Sequence, residues 1–585
     1  MASSVSRPFG GSFLTDHAHV GSTFTPEQLG DECLAIGRMV DEFWARDVAP
    51  SLDALLRHEP GVARGLLRKA ATLGLTSMQI PEAHGGLDLD LPSVMVAIEH
   101  LGRDASYLGW HLGHSGIGML PLIFYGTEAQ KAKYLPQMAS ADMLGAYALT
   151  EPQAGSDALA ARTRADLSPD GRHYVLTGQK MWITNGGEAD LFTVFANVNG
   201  EAFTAFLVER SFGVTTGAEE QKMGLSGTST TAVYFDRVPV PVENVLGDIG
   251  RGHIIALNIL NVGRLEMGPN MLMGARQVLD TSLRYALERR AFGTTISTFG
   301  AIQHKLAECA VRMFATESAT WRVAGLVDAH TRHRHDTGHP RHVAELEAFE
   351  EFAAECSIVK VVSSEMLDAV ADHGVQIHGG YGYHRDYFVE RAYRDARINR
   401  IFEGSNEINR LIIPGLIAKR AARAGRDLLP QAAAMLAHAS SLASHPPASD
   451  DDTLVANLRA AALLLLGAVH RHAGDALREP QEAVMCLADA IIEAFVAESV
   501  HLRACALAGA PTGATAVALS QVHLRDALPR VAHALTTALP GLLARDDART
   551  ALAAARALTT AEPLDTMALR RQIARAALDA GRSIF

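Results

Sequence analysis

Apolar residues at about helical spacing mark the beginning of the chain. Leu34, Met39, Phe43 and Val48 recur every four or five residues, a spacing that indicates one buried face of a helix. The apolar residues that follow keep this helical spacing over about the first quarter of the chain. The sequence therefore predicts an N-terminal helical domain over residues 1–145.

The pattern then changes to short strands separated by turns. Residues 191–198 and 202–208 are apolar runs on either side of Asn199-Gly200, and this dipeptide between two such runs is the strongest short signal for a β-hairpin. Residues 230–238 have the composition of a further strand. We therefore predict a β-domain over residues 146–250, built as a small barrel or sandwich.

Helical spacing returns at Gly252 and continues to the end of the chain. Four long helices are predicted, at 252–291, 299–328, 343–373 and 395–420. Four helices of this length favour a bundle over residues 251–420. Ala- and Leu-rich helices follow a polar linker at 446–452, so residues 421–585 are predicted to form an additional helical domain.

Length, charge and cysteine content narrow the class of protein. The chain has 585 residues, more than one core supports, because single cores stop growing at about 250–300 residues. Its formal net charge of −12 argues against a nucleic-acid partner, which would need a basic face. The five cysteines are scattered and form no C-x-x-C pair, which predicts reduced thiols in the cytoplasm and no zinc site. The histidine-rich segment 330–342 fixes no ligand geometry, so we predict a solvated loop there and no metal.

Export and membrane insertion are not predicted. The opening residues, MASSVSRPFGG, lack the apolar core of a secretory signal. No stretch reaches the ~18 apolar residues of a spanning helix. A basic stretch near the start of the extension contains Ile417, Lys419, Arg420, Arg423 and Arg426. Simple solvation explains it, and contact with a membrane surface or a partner is the alternative, although the net acidity of the chain weakens the membrane version.

Three separate clusters carry residues suited to chemistry. Residues 147–157 are YALTEPQAGSD, residues 181–186 are MWITNG, and residues 376–410 run from QIHGGYGYH to IFEGSNEINR. Each cluster alone has an ordinary structural explanation: a loop, a Trp packed into the core at a strand end, and a glutamate at a solvated helix cap. Gly379 and Gly380 permit close backbone approach to a ligand.

Together and in this order, the clusters resemble both signatures of the acyl-CoA dehydrogenase family. MGLSGTST, VPVPVENVLG, LNVGR and ERRAFG stand between them, and IPEAHGG and YGTEAQKAKYLP lie upstream. The resemblance covers residues 75–420, and the extension is similar to that of the very-long-chain branch in length and helical character. It implies a mainly α fold: an N-terminal helical domain, a middle β-barrel and a C-terminal four-helix bundle with FAD between them, plus a C-terminal helical extension.

The resemblance implies dehydrogenation of a fatty acyl-CoA to the trans-2-enoyl thioester. In this family a carboxylate takes the α-proton while N5 of FAD accepts the β-hydrogen as hydride. The matching carboxylate is Glu403, in the run Ile401-Phe402-Glu403-Gly404-Ser405. Exclusion of water by the acyl chain makes a buried carboxylate more basic. Gly404 would let the backbone N–H of the base approach the thioester oxygen, where negative charge develops.

The resemblance also implies contacts with the cofactor and the substrate. Contacts with FAD are expected from Leu149, Thr150, Gly155, Ser156, Trp182, Ile183, Thr184, Ser405, Asn406 and Glu407. The FAD of a neighbouring subunit would be reached by Arg289, Phe292, Gln376, Gly379 and Gly380. Contacts with the acyl-CoA are expected from Ser156, Asn261, Arg264, Phe402, Glu403 and Gly404. The cross-subunit set implies a homo-oligomer, and the extension favours a dimer.

Gly109 and Gly113 suggest a preference for long acyl chains. They lie four residues apart and therefore share a helix face. By resemblance this face borders the acyl tail, where medium-chain members carry bulky or polar side chains, so two glycines would leave room for a longer chain. The alternative is that the glycines allow close backbone packing of two helices.

Other functions remain open at this stage. An acyl-CoA oxidase would pass the electrons to O₂, and a scaffold or assembly protein of the same fold would not turn over substrate. Flavin monooxygenases share the fold but generally lack the glutamate, so Glu403 counts against them. The sequence does not distinguish CoA from an acyl carrier protein, and electron-transfer flavoprotein as the acceptor follows from the resemblance alone.

Overall fold

The computed structural model describes residues 8–426, 428–474, 477 and 479–585. The first seven residues, which enter the prediction about export, lie outside the described part. The chain forms two compact units. The sheet unit comprises Leu29–Met273 and His330–Glu350, and the bundle unit comprises Met1–Gln28, Gly274–Ala329 and Glu351–Phe585.

The sheet unit begins with short helices around one apolar core. Their bounds are Asp31–Phe43, Leu52–Leu56, Val62–Thr72, Leu91–Leu101, Ala105–Ser115, Leu120–Tyr125 and Glu128–Ala139. Side chains fix several of the starts: Asp90 accepts the N–H of Ser93, and Thr127 and Gln130 form a reciprocal capping box. Phe43 and Val48 lie in the core, whereas Leu34 of the same predicted face is 46% exposed.

Eight strands of the sheet unit form one hydrogen-bonded sheet. They are β1 (Gly145–Ala148), β2 (Arg164–Leu167), β3 (His173–Thr184), β4 (Leu191–Val198), β5 (Ala202–Glu209), β6 (Thr215–Thr216), β7 (Thr230–Pro241) and β8 (Val245–Leu246). Their order is β6-β7-β3-β2-β4-β5-β8, and β1 pairs with β4. The predicted hairpin is confirmed, because β4 and β5 pair from Val198 and Ala202 outward around Asn199-Gly200.

The helices after the sheet correct the predicted bundle in two places. Their bounds are Gly252–Glu288, Gly300–Asp336, Arg341–Glu351, Ala353–His378, Phe388–Ala396 and Asn406–Arg423. The third predicted helix is two helices with a break at Phe352. The fourth is interrupted by residues 397–405, because Glu403 and Gly404 have φ of +56° and +82°, which an α-helix does not contain. Apolar spacing did not reveal this turn, although it carries the proposed base.

The extension is helical, as predicted. Its helices are Leu428–Ala437, Ala439–Leu442, Asp451–Ala473, Gln481–Leu507, Gly513–Leu542, Arg545–Leu558 and Thr566–Ala580. Asp451–Ala473 is the one helix of the described residues whose length and composition would allow it to cross a membrane. In the fold it is a core helix of the bundle unit, because 78% of its most apolar window is buried.

The N-terminal arm, residues 8–28, packs on the bundle and the extension. Phe13 contacts Phe495 with ring centroids 4.8 Å apart. The carboxylate of Glu27 accepts from Nη2 of Arg503 at 2.6 Å. Ile417 lies against Gly11 in the same region and is fully buried.

The basic stretch is not one exposed face. Ile417 is fully buried, Arg420 is 7% exposed, and the guanidinium of Arg420 lies 3.4 Å from the carboxylate of Glu351. Two members of the stretch therefore belong to the interior, which removes them from any contact with a membrane or a partner.

Candidate functional site

The turn that carries Glu403 lies between helices Phe388–Ala396 and Asn406–Arg423. Glu403 has φ of +56° and Gly404 has φ of +82°. A left-handed backbone is costly for a residue with a Cβ, and such strain collects at functional sites. Ser405 follows at once and caps the next helix. A glutamate held in this conformation is therefore a candidate for chemistry rather than an ordinary helix cap.

Two buried side chains hold the backbone of this turn. Nζ of Lys360 donates to the carbonyl oxygen of Gly404 at 2.8 Å. Nδ2 of Asn409 donates to the carbonyl oxygens of Gly404 and Ser405 at 2.8 and 3.1 Å. Both side chains belong to residues with no exposed surface. Their bonds orient two successive peptide planes at the base.

Asn406 takes part in the same network. Its Oδ1 accepts from Nζ of Lys360 at 2.7 Å, and its Nδ2 donates to Oε1 of Glu365 at 3.0 Å and to Oγ of Ser364 at 3.0 Å. The side chain is buried and both of its polar atoms are bonded within the protein. The side chain therefore has an internal role, and the expected contact of Asn406 with FAD stays a prediction. The hydroxyl of Ser405 lowers the pKa of the exposed Glu407.

Trp182 lies at a β-bulge in β3. The pairing of β3 with β7 shifts between Lys180 and Ile183, and Trp182 has φ of +57°. The bulge turns Ile183 into the core and leaves Trp182 61% exposed. The alternative that this Trp packs into the core is therefore wrong, and its exposed indole offers a flat apolar surface.

The segments around Leu149 and Trp182, both expected to contact FAD, are bonded to each other. The N–H of Met181 donates to the carbonyl oxygen of Thr150 at 2.9 Å. Nζ of Lys180 donates to the carbonyl oxygen of Leu149 at 3.1 Å. The structure thus places residues 149–150 beside residues 180–181, directly before Trp182.

A buried ion pair supports this junction. Nζ of Lys180 lies 2.7 Å from Oε1 of Glu151. The hydroxyl and the N–H of Thr163 donate to the same carboxylate at 2.6 and 3.0 Å. Burial raises the pKa of Glu151, but the charge of Lys180 and these hydrogen bonds outweigh it, so that pKa is lowered overall. Burial lowers the pKa of Lys180 to about 8, so both groups are charged at neutral pH.

The remaining candidates of the sheet unit fall into two places. Gly155 and Ser156 are exposed in the loop after β1, and a Cβ at Gly155 would meet open space. Asn261 and Arg264 lie on helix Gly252–Glu288, where Nη1 of Arg264 donates to Oδ1 of Asn261 at 3.0 Å. Both are almost fully buried, so the arginine is held in a fixed orientation.

Four of the five residues expected to reach a second FAD line one cavity of the bundle unit. The cavity has a volume of about 740 Å³, and its lining includes Arg289, Phe292, Gly379 and Gly380. The guanidinium of Arg289 lies over the ring of Tyr381, 5.5 Å from its centroid. Phe292 is 96% exposed. Gln376, the fifth, is exposed and does not line this cavity.

The space beside Gly109 and Gly113 is already filled by protein. A Cβ at Gly109 would lie 2.7 Å from Oγ1 of Thr228, and one at Gly113 would lie 2.8 Å from Nδ2 of Asn185 and from Cγ2 of Thr184. Contacts under 3.0 Å cannot be accommodated without movement. The glycines therefore allow helix Ala105–Ser115 to pack closely, and its neighbour is the β-domain rather than a second helix. They no longer support the hypothesis that this helix face leaves open space for the acyl tail.

Sequence reasoning missed the buried residues that support the candidates. Lys180, Lys360 and Asn409 are polar residues without exposed surface. One signal was available for Lys180, because it continues the inward positions Tyr174 and Leu176 of β3 at a period of two. Within the described residues, no three His, Cys, Asp or Glu side chains are grouped so as to hold a metal ion.

Comparison with known proteins gives four matching family models. Three are the "Acyl-CoA dehydrogenase, N-terminal domain" at residues 30–142, the middle domain at 146–238 and the C-terminal domain at 250–417. A fourth, also named "Acyl-CoA dehydrogenase, C-terminal domain", matches residues 457–557 in the extension.

Individual relatives agree with these models. A "Probable acyl-CoA dehydrogenase" of Bacillus subtilis is 40% identical over 575 residues, which cover 97% of this chain and 96% of that one. A "Very long-chain specific acyl-CoA dehydrogenase, mitochondrial" of Rattus norvegicus is 40% identical over 62% of this chain and 53% of its own. A solved acyl-CoA dehydrogenase from Bacillus anthracis, complexed with FAD, matches with a TM-score of 0.95 and 38% identity over 99% of this chain and 100% of that chain.

Proposed function

The chain belongs to the acyl-CoA dehydrogenase family, and from this premise we propose that Glu403 removes the α-proton of a fatty acyl thioester. Membership makes the protein a flavin-dependent oxidoreductase. The proposal rests on one observation above all. Glu403 occupies a strained turn, with φ of +56°, whose carbonyl groups are held by the buried side chains of Lys360 and Asn409.

Residues of both units suit FAD, which the Bacillus anthracis relative binds. In the sheet unit, the exposed indole of Trp182 and the open space at Gly155 suit a flat ring system approaching the backbone. In the bundle unit, Arg289 beside a cavity of about 740 Å³ suits a pyrophosphate, because a guanidinium binds two oxygens at once. When bound, FAD supplies the acceptor for the β-hydride.

The protein itself supplies the base and the donors around it. The carboxylate of Glu403 takes the proton from the α-carbon. The charge that develops on the thioester oxygen is stabilised by N–H donors, and the N–H of a trans peptide points away from its C=O. Lys360 and Asn409 bind the carbonyl oxygens of Gly404 and Ser405 from the interior, which fixes the backbone directly after the base. The N–H of Glu403 itself belongs to the preceding peptide plane, which it shares with the carbonyl of Phe402. We assign Asn261 and Arg264 to the acyl-CoA.

Substrate length and electron acceptor belong to the proposal as well. We propose a long acyl chain, which is supported by a relative named very long-chain specific that is 40% identical over 372 residues. Electron-transfer flavoprotein as the acceptor is supported by family membership.

The oligomeric state and location are also proposed. Phe292, 96% exposed beside the cavity of Arg289, supports a homodimer that covers this apolar ring. The five cysteines are free, which supports a cytoplasmic location.

An anaerobic titration tests the proposed function. The FAD-loaded protein is mixed with saturated acyl-CoAs from C4 to C20, and flavin absorbance is followed. Bleaching with a long-chain optimum, and no oxygen consumption when air is then admitted without an added acceptor, supports a long-chain dehydrogenase. Bleaching followed by oxygen consumption identifies an oxidase. A flavin that stays oxidised with every thioester favours a scaffold protein and rejects the proposal.

A further inference from the structure

The hydrogen bonds at the Glu403 turn continue into the C-terminal extension. Lys360 binds the carbonyl oxygen of Gly404 at 2.8 Å and Oδ1 of Asn406 at 2.7 Å. Nδ2 of the same Asn406 amide donates to Oε1 of Glu365 at 3.0 Å. The planar amide of Asn406 therefore links Glu365 to the ammonium group of Lys360, which binds the turn.

Glu365 is in turn fixed by an arginine. Nη1 and Nη2 of Arg410 donate to Oε1 and Oε2 of Glu365 at 2.7 and 3.1 Å. Such a two-point contact sets the orientation of both groups and is stronger than a neutral hydrogen bond. The side chain of Arg410 is only 13% exposed, so water competes little for its donors.

The last link belongs to the extension. Nε of Arg410 donates to Oδ1 of Asp489 at 2.6 Å. Asp489 lies on helix Gln481–Leu507, which packs along helix Asn406–Arg423. Asp489, Arg410 and Glu365 thus alternate in charge, and the two acids share the three donor nitrogens of one guanidinium.

On these contacts we infer that the extension positions the catalytic turn: Asp489 holds Arg410, and Glu365, Asn406 and Lys360 carry that constraint to the backbone beside Glu403. The inference rests on the proposed function, because Asp489 can position the catalytic base only if Glu403 is that base. Asp489 is a positioning residue and touches neither substrate nor cofactor in this role. Loss of its charge would free one side of Arg410 and loosen the turn.

A second acid–arginine–acid triad offers a matched control. Nη2 of Arg570 donates to Asp526 at 2.6 Å, and Nε donates to Glu308 at 2.7 Å. This triad also joins the extension to a bundle helix, since Glu308 lies on Gly300–Asp336. Neither of these hydrogen bonds of Arg570 involves a residue of the Glu403 turn. Asp489→Asn and Asp526→Asn therefore each remove the charge of an extension aspartate that binds a central arginine, although Arg410 lies on a bundle helix and Arg570 lies in the extension.

The experiment uses the FAD-loaded full chain. Asp489→Asn, Asp489→Glu, Asp526→Asn and Glu403→Gln are compared in the rate of anaerobic flavin reduction by a saturating acyl-CoA, in KM, and in backbone amide exchange over residues 402–406. We expect Asp489→Asn to reduce the flavin about 2- to 30-fold more slowly, the range in which side-chain networks couple sites. Its KM should be unchanged and its amides at the turn should exchange faster. Asp489→Glu should restore most of the rate, and Asp526→Asn should behave like wild type.

The outcomes separate the two ideas. If Glu403→Gln abolishes reduction while Asp489→Asn and Asp526→Asn give equal rates and equal exchange, the base is correct and the positioning role of the extension is wrong. If Glu403→Gln reduces the flavin as fast as wild type, the proposed base is wrong and the inference falls with it. A slow Asp489→Asn with unchanged exchange at the turn would also overturn the inference.

Discussion

Nζ of Lys180 lies 2.7 Å from Oε1 of Glu151, and the two side chains are 0% and 2% exposed. A pair of this kind is costly to break, because the remaining charge stays buried without its partner. The pair lies at the junction of β1 and β3, next to the backbone of Leu149 and two residues from Trp182. Its strength therefore bears on how firmly the proposed FAD contacts are held.

Lys180→Met should destabilise the protein and weaken FAD retention. The buried carboxylate of Glu151 would lose its cation, which costs about 3–5 kcal/mol. Denaturant unfolding of the FAD-free protein measures the first effect, and the ratio of flavin to protein after gel filtration measures the second. Lys133→Met is the control, because Lys133 pairs with Glu209 at 2.8 Å but is 54% exposed; it should cost about 1 kcal/mol or less. Equal losses in the two variants would contradict a special role for the buried pair.

Glu403→Gln should bind FAD and acyl-CoA but lose dehydrogenation. Gln keeps the shape of the side chain and removes the base, so flavin reduction should slow by at least about 10²-fold. Stopped-flow absorbance under anaerobic conditions gives the rate. Glu482→Gln changes an exposed glutamate of the extension and serves as the control. Wild-type turnover by Glu403→Gln would remove this residue from the mechanism.

Arg289→Ala should release FAD more readily. The variant removes the guanidinium that lines the cavity of the bundle unit, and hydrogen bonds to a charged group contribute about 1.5–3 kcal/mol, or roughly 10- to 150-fold in affinity. Equilibrium dialysis gives the affinity, and light scattering gives the mass. Arg284→Ala, on the same helix but outside the cavity lining, should retain FAD. A stable, fully flavin-loaded monomer of the wild type would contradict the cross-subunit assignment.

Gly113→Ala should lower stability without shortening the preferred acyl chain. Its Cβ would lie 2.8 Å from Asn185 and Thr184, and overpacking typically costs about 1–3 kcal/mol. Gly65→Ala is the matched helix variant, since a Cβ there meets nothing within 4 Å. The difference between the two variants in denaturant unfolding isolates the steric cost. A shift of kcat/KM toward shorter acyl chains in Gly113→Ala, with unchanged stability, would restore the hypothesis that the glycines leave room for a long acyl tail.

The burial of the Glu355 carboxyl group should make the protein less stable as the pH rises toward neutrality. Burial raises its pKa from 4.5 to about 7, while the N–H of Gly11 donates to it at 2.6 Å. Between pH 4.5 and about pH 7 the Glu355 carboxyl keeps its proton in the folded state and has lost it in the unfolded state. The free energy of unfolding therefore falls as the pH rises through this range, and the whole decrease has occurred above pH 7. At about 1.36 kcal/mol per pH unit, the cost is on the order of 3 kcal/mol.

Unfolding of Glu355→Gln across the pH range checks this expectation. The variant should be more stable than wild type above pH 7, and the difference should shrink as the pH falls to 4.5, because Gln does not titrate. Glu482→Gln should follow wild type at every pH. A constant difference between Glu355→Gln and wild type would show that Glu355 does not titrate in this window.

Local patterns predicted the regular elements well. The hairpin around Asn199-Gly200 depends on nearby residues, which a sequence displays directly. The turn at Glu403 was different, because apolar spacing continues across it while the backbone leaves the helix. Its position came from the motif and its conformation only from the structure.

The supporting network could not be predicted from spacing. Lys360 and Gly404 are 44 residues apart, and Arg410 and Asp489 are 79 apart. Such pairs depend on how helices pack, and a buried lysine or asparagine looks like any surface residue in a linear sequence. The same holds for Gly109 and Gly113, since only the neighbours in space decide between open room and close packing.

The ion pair between Glu27 and Arg503 has a consequence for synthesis on the ribosome. The two residues are 476 positions apart, and at about 5–20 residues per second the earlier one waits about 25–95 s for the later. Phe13 waits slightly longer for Phe495, which it contacts with ring centroids 4.8 Å apart. While the intervening chain is being translated, the residues that the N-terminal arm contacts have not yet been made. The N-terminal arm therefore cannot complete its packing in the bundle unit until helix Gln481–Leu507 has been synthesised.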